Sequence, residues 1–172
     1  MELVPLDEVA HRTQFFNLNV DFLSWLAAEA KNQHGVDIIA ILGISVREYV
    51  ESVIDKLLKV KPPVGITYLL QENGITIGMG ALRKLEEGVG EIKRMYVKSE
   101  YRGRGYGRSL FKVLLKKGEE FGYSVLRLET SDFMISAHKI YYSEGFVEID
   151  QFSGCETSEA FLPFALFMEK KL

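Results

Sequence analysis

The chain has 172 residues, 47% of them hydrophobic and 26% charged, with a formal net charge of −3. That size and apolar content suit one α/β domain with a sizeable core, and the acidic balance argues against a general nucleic-acid or anionic-membrane binder. The single cysteine, Cys155, rules out an internal disulfide and a Cys-paired zinc site, so no metal is expected.

In chain order, Glu2 to Leu6 predicts a short strand. A helical region follows, in which Phe15, Phe16, Phe22, Leu23, Trp25, Leu26 and Ala30 recur mostly at helical spacing. Gly35 to Gly43 reads as a loop with an apolar centre. Ser45, with Glu48 three residues on, makes a capping box that opens a helix carrying Val50, Ile54 and Leu58 and ending before Pro62-Pro63. From Gly65 the pattern turns to strands: Ile66 to Gln71, a hairpin at Asn73-Gly74, Ile75 to Arg83, a second turn at Glu86-Glu87-Gly88, and a strand holding Glu91. This predicts an antiparallel meander. Leu110, Phe111, Leu114, Leu115, Gly118 and Phe121 then recur at helical spacing with charges on the other face. Val125 to Glu129 predicts a strand, Ile135 to Ser143 a helix, and Phe161 to Glu169 a final apolar strand that suits either the core or a homodimer interface. Residues 1–60 thus form a helical region, 64–149 a mixed core and 150–172 a C-terminal strand region of one domain. No apolar run approaches the ~20 residues of a membrane span, and Met1 to Pro5 lacks a basic segment leading into an apolar one. A cytoplasmic location is the resulting expectation.

Between the Glu91 strand and the next helix lies Tyr101-Arg102-Gly103-Arg104-Gly105-Tyr106-Gly107-Arg108. Its glycines let the backbone turn tightly and approach a ligand, and a helix starting straight afterwards offers unpaired amides and a positive dipole end. Arg102, Arg104 and Arg108 add charge. An anion cradle is predicted. The dinucleotide fingerprint G-x-G-x-x-G would need glycine at position 108 or 110, where Arg108 and Leu110 stand, and the P-loop would need Lys and a hydroxyl after Gly107.

Arg102, Gly105 and Gly107 do fit Arg-x-x-Gly-x-Gly, which resembles the coenzyme A pyrophosphate loop of the GNAT acyltransferase superfamily. Upstream, Glu91 to Val97 looks like that family's central strand, and downstream Ala137 to Phe146 resembles its A-x-x-L-Y-x-x-x-G-F segment, with Ile140 in place of Leu. A narrower resemblance is to an uncharacterised branch with a Pro-Pro-x-Gly segment, here Pro62 to Gly65, and a Glu-x-Lys-Arg-x-Tyr-Val strand. The resemblance implies a GNAT-like α/β fold, with a mixed central sheet of about six to seven strands flanked by about four helices. It also implies an acyl-CoA-dependent N-acetyltransferase that uses acetyl-CoA as co-substrate and passes the acetyl group directly to a primary amine of a small-molecule or amino-acid-like acceptor.

On that reading, main-chain groups of Met95, Tyr96 and Val97 meet the pantetheine arm. Residues Arg102, Gly103, Arg104, Gly105, Tyr106, Gly107 and Arg108 hold the pyrophosphate. Tyr141 protonates the departing thiolate, and Glu91 serves as general base. Read without the family, Tyr141 is a core tyrosine and Glu91 a carboxylate solvated or paired with Lys93 or Arg94, with Glu129 and Asp132 as fallbacks. Met134 stands where much of the superfamily has Asn. His11, His34 and His138 match no metal or catalytic spacing. Two other function classes compete: a non-catalytic acyl-CoA-binding module, or a protein N-acetyltransferase. A third, an RNA-contacting arginine-glycine segment, would lack the periodic structure that brackets this loop.

Overall fold

Each long helix has one apolar face and an end set by local chemistry. The computed structural model describes residues 1–172. After strand β1 (Glu2–Pro5), helix α1 (Arg12–His34) stops at Gly35, whose left-handed φ of 69° turns the chain out of the helix. The segment expected to be a loop contains a short helix, α2 (Ile38–Leu42), because the Asp37 side chain accepts a bond from the Ala40 amide at 3.0 Å. Helix α3 (Val46–Leu58) opens on the predicted capping box, with Ser45 and Glu48 bonded reciprocally.

Strands β2 (Ile66–Glu72), β3 (Ile75–Glu86) and β4 (Val89–Val97) form the expected antiparallel meander. Helix α4 (Tyr106–Glu120) begins three residues earlier than its apolar spacing suggested, since Gly105, at φ 80°, already serves as its N-cap. β5 (Val125–Ser131), α5 (Ile135–Ser143), β6 (Val147–Ile149) and β7 (Ala165–Lys171) complete the chain. The predicted final strand starts late because Leu162–Phe164 forms a 3-10 turn around Pro163. The result is a seven-stranded mixed sheet in the order β1-β2-β3-β4-β5-β7-β6, with five α-helices.

Apolar residues cover both sheet faces. Leu110, Phe111 and Leu114 of α4 pack with Leu82, Ile92 and Leu126 on one face, and Phe15, Leu18, Val50 and Ile54 of α1 and α3 pack with Leu69 and Met79 on the other. The C-terminal strand lies inside the sheet, between β5 and β6, and its Phe167 and Met168 are buried in the core.

One topological feature positions everything that follows. β4 and β5 are the only parallel neighbours, and their pairing runs from Val89↔Val125 to Ile92↔Leu128 and stops there. Beyond Ile92, β4 continues to Val97 along β3 alone while β5 continues to Ser131 along β7 alone, so the sheet splits between them. At the split β4 carries a bulge. Gly80 of β3 faces two residues, Arg94 and Met95, and Arg94 takes a left-handed φ of 57°. Gly80 lets Met95 and α4 pack close: a Cβ would lie 2.8 Å from Met95 Sδ and 3.0 Å from Leu110 Cδ2, so those side-chain ends would have to move.

Candidate active site

The loop between β4 and α4 shows the feature an anion site needs. The amides of Gly103, Arg104, Gly105, Tyr106, Gly107 and Arg108 donate no hydrogen bond within the chain; the first helical bond runs from Ser109 to the Gly105 carbonyl. Unbonded N–H groups in succession at a helix N-terminus favour a bound anion. Gly103 and Gly105 hold φ of 78° and 80°, and nothing lies within 4 Å of where a Cβ would stand on either, so the space before the amides is open.

The arginines hold the loop rather than project from it. The Arg102 Nε donates to the Val97 carbonyl at 2.8 Å, and its guanidinium stacks 4.7 Å from the Trp25 ring. Arg104 reaches Glu72 at 3.3 Å and stacks on Tyr101, the Tyr106 hydroxyl also bonds Glu72, and Arg108 reaches Glu144 at 3.2 Å. Gly107, in the first turn of α4, faces Ile140 of α5 and Val97 at the end of β4, so the loop meets the open end of the split.

Behind the split, on the α1 and α3 side, lies a cavity of about 270 Å³. Its walls are apolar side chains of α1 and α2, including Phe22, Leu26 and Leu42, and its floor is polar, with Lys93 and Arg94 from β4 and Glu129 and Thr130 from β5. Glu156 and Thr157, from the irregular segment before β7, close one side. An apolar pocket with a few convergent polar groups is the expected form of a small-molecule site.

A cofactor-sized anion cradle, a split parallel pair and a pocket behind it on one domain match a known architecture. The family model described as the Acetyltransferase (GNAT) family covers residues 43–146. The chain belongs to the GNAT acetyltransferase family. It is 29% identical over 130 residues to an uncharacterised N-acetyltransferase of Schizosaccharomyces pombe, covering 74% of this chain and 76% of the yeast protein. It shares its fold with a GNAT-family acetyltransferase of Staphylococcus aureus (TM-score 0.72, 18% identity, 99% of this chain and 98% of the other). A PaiA N-acetyltransferase of Thermoplasma acidophilum, solved in complex with coenzyme A, superposes with a TM-score of 0.69 at 20% identity over all of both chains. The protein is an acyl-CoA-dependent N-acyltransferase.

Within this acetyltransferase the expected site residues fall in three places. Met95, Tyr96 and Val97 lie on the stretch of β4 past the split, paired with β3 only. The Tyr96 ring is buried against Phe22 and Trp25 at 5.5 and 6.5 Å, while Met95 packs toward α4. Tyr141 is buried on the α4 side, its ring 4.9 Å from Phe111, and no side chain bonds its hydroxyl; burial holds its pKa above the ordinary tyrosine value. Tyr142, next in sequence, faces outward and bonds Glu148.

Glu91 is fully buried and does not line the cavity. Arg83 meets its carboxylate at 2.6 Å and Lys93 at 3.2 Å; burial pushes its pKa up, and these two cations pull against that shift. Glu129 does line the cavity, bonded to Lys93 at 2.5 Å and to the Thr157 hydroxyl. Asp132, the other fallback, pairs with His34 at 2.9 Å. His138 is buried behind Thr130, 3.3 Å from its hydroxyl, and burial lowers its pKa. Thr130 also donates to Met134 Sδ at 3.3 Å, so Met134 occupies the cavity edge as an apolar contact.

Two participants escaped the sequence reading. Glu156 bonds Lys93 at 3.1 Å and Arg83 at 2.9 Å; burial opposes its ionisation, but Lys93, Arg83 and Lys56 outweigh it and hold its pKa at about 2. It sits in a segment without periodicity, so no pattern marked it. Asn19, inside the α1 apolar run, is fully buried, donates to the Phe15 carbonyl at 2.7 Å and accepts from Arg94 Nη1 at 2.6 Å. A polar residue on an apolar helix face was the available signal. The helix acids Asp21, Glu29, Asp37, Glu48 and Glu51 do not line the cavity. No group of three or more His, Cys, Asp or Glu side chains is arranged to hold a metal ion, and no helix is long and apolar enough to cross a membrane.

Proposed function

We propose that this protein transfers an acetyl group from acetyl-CoA directly to a primary amine of a small, amino-acid-like acceptor held in the cavity behind the β4–β5 split. The observation that carries this reading is that both flank the β4–β5 split: the unbonded amides of residues 103–108, whose loop meets Val97 at the end of β4, and a partly open apolar pocket floored by Lys93, Arg94, Glu129 and Thr130. The pyrophosphate of the co-substrate would be held by those amides, with Arg102, Arg104 and Arg108 setting the loop, and the pantetheine by main-chain groups of Met95, Tyr96 and Val97. A cavity of about 270 Å³ is of a size for a small acceptor. The cytoplasm, where acetyl-CoA is made and used, is the expected location.

In the reaction the amine nitrogen bonds the thioester carbonyl carbon, the carbon–sulfur bond breaks, one proton leaves the amine and one reaches the sulfur. Tyr141 is the proposed proton donor to the thiolate, its hydroxyl free of any side-chain partner and so available to hydrogen-bond the sulfur as charge develops there. For the amine proton, Glu91 and Glu129 divide the work. Glu129 faces the cavity and accepts it, directly or through a water, and Glu91 acts through Lys93, which bridges the two carboxylates.

Release of free thiol from acetyl-CoA across a panel of small amines tests this reading. Turnover of at least one amine, abolished in Glu129→Gln with acetyl-CoA affinity retained, is expected. Binding of acetyl-CoA with no transfer to any amine would instead make the protein a non-catalytic acyl-CoA-binding module.

A further inference from the structure

Lys93 and Arg94 reach the floor of the cavity side by side, and their partners are unequal. Lys93 contacts Glu91, Glu129 and Glu156 at 3.2, 2.5 and 3.1 Å, and Arg83 contacts Glu91 and Glu156 at 2.6 and 2.9 Å. With Lys56 on Glu156 at 3.3 Å, the three carboxylates of this cluster are matched by Arg83, Lys93 and Lys56. Arg94 is the charge left over. No carboxylate of the chain lies within ion-pair distance of it; its one hydrogen-bonded partner is the neutral amide of Asn19, which takes a single N–H at 2.6 Å.

Arg94 is half-buried, and a guanidinium drawn partly out of water without a carboxylate beside it is costly; burial depresses its pKa accordingly. The backbone adds to it, because a non-glycine residue at φ 57° is held there by its surroundings. That turn is what sets Arg94 in the cavity wall beside Lys93, where regular alternation would put neighbouring side chains on opposite faces. Asn19 fixes one edge of the planar group and leaves its other donors for the cavity.

We propose that Arg94 binds a carboxylate of the acceptor, so that the substrate is an amine bearing a free carboxylate, an α-amino acid or a close analogue, with an apolar side chain. This rests on the reading of the cavity as the acceptor site. Three features fit one molecule: a guanidinium fork for the carboxylate, the Glu129 carboxylate for the ammonium, and a wall of Phe22, Leu26 and Leu42 for an apolar side chain.

The test compares leucine and phenylalanine with their amides and with the amines that lack the carboxyl carbon. Two readouts are used on the intact protein saturated with CoA or acetyl-CoA: calorimetric binding, and thiol release. Wild type is expected to prefer the acid over the amide by about 10- to 100-fold in affinity and in kcat/KM, the range for a hydrogen-bonded charged group. In Arg94→Gln the acid-to-amide ratio falls toward one. Arg94→Lys, which keeps the charge without the fork, retains part of the preference; a merely structural arginine would not sort variants by charge. Preferential binding of the acid without turnover would uphold the carboxylate site while contradicting the acetyltransferase reading of this cavity. Equal handling of acids and amides by wild type, or no binding of either, would overturn the proposal, and that comparison needs no variant to fold.

Discussion

At the scale of single residues, the site separates groups that hold charge from groups placed to move protons. Tyr141 has an unbonded hydroxyl in an apolar wall, and burial keeps the phenol protonated, so on the proposed reading it has a hydrogen to offer the sulfur as charge develops there. Tyr141→Phe is therefore expected to lower kcat about 100-fold with the KM for acetyl-CoA little changed, read by steady-state thiol release. An unchanged kcat would return Tyr141 to the core. Glu156 acts differently. Its pKa of about 2 lies below the ordinary 4.5, so the folded state favours its ionised form and gains stability above about pH 4.5 that is lost as pH falls toward 2. Glu156→Gln is expected to lower the melting temperature at pH 7 and to flatten the acid limb of the melting-temperature profile in that window. An acid limb of the same slope in both proteins would show that Glu156 is solvated rather than paired.

At the scale of elements, the end of β4 connects folding to binding. Gly78 pairs with Val97, and a Cβ on Gly78 would lie 2.6 Å from the Tyr96 carbonyl oxygen, which is backbone and has nowhere to give. Gly78→Ala should force β3 and β4 apart just before the cofactor loop. We expect destabilisation of about 1–3 kcal/mol in urea together with weaker CoA binding. A variant as stable as wild type would show that the strand end is looser than its register implies. The loop and both its flanks were legible in the sequence because they use local signals: positive-φ glycines, a helix start, and apolar periodicity in α4. Helix α2 was not. Its five residues, Ile38–Leu42, are too few to show a period, and only its Asp37 cap and the flanking glycines mark it. The bulge at Arg94 was not legible either, since it is a register slip against Gly80 that depends on how two strands, each regular in sequence, meet.

At the scale of the whole molecule, one sheet separates two sets of tasks. The α4 and α5 face carries the amide cradle and Tyr141, the α1 and α3 face carries the cavity proposed for the acceptor, and the β4–β5 split lies between them. That the sheet is mixed was implied by family resemblance; its strand order and its one parallel contact were not, and hydrophobic pattern does not say which strands are neighbours. The site's charge balance was less legible still. Glu91 was readable as an acid on the right strand, but its enclosure by Arg83 and Lys93, and the role of Glu156, depend on contacts between segments far apart in the chain. The apolar C-terminal strand, open to either reading in the sequence, pairs with β5 and β6 inside the sheet and buries Phe167 and Met168 in the core.

The central claim is that the free amides of residues 103–108 bind the pyrophosphate of coenzyme A. The most direct measurement is calorimetric titration of CoA into the wild type and Gly105→Glu, which puts a side chain in a left-handed position and a negative charge into the cradle. Binding by the wild type and a loss of 100-fold or more in the variant are expected, with the variant's circular dichroism unchanged; the loss matches about 3 kcal/mol for charge-assisted bonds removed and repulsion added. Equal affinity of the two proteins, or no binding by the wild type, would contradict the account.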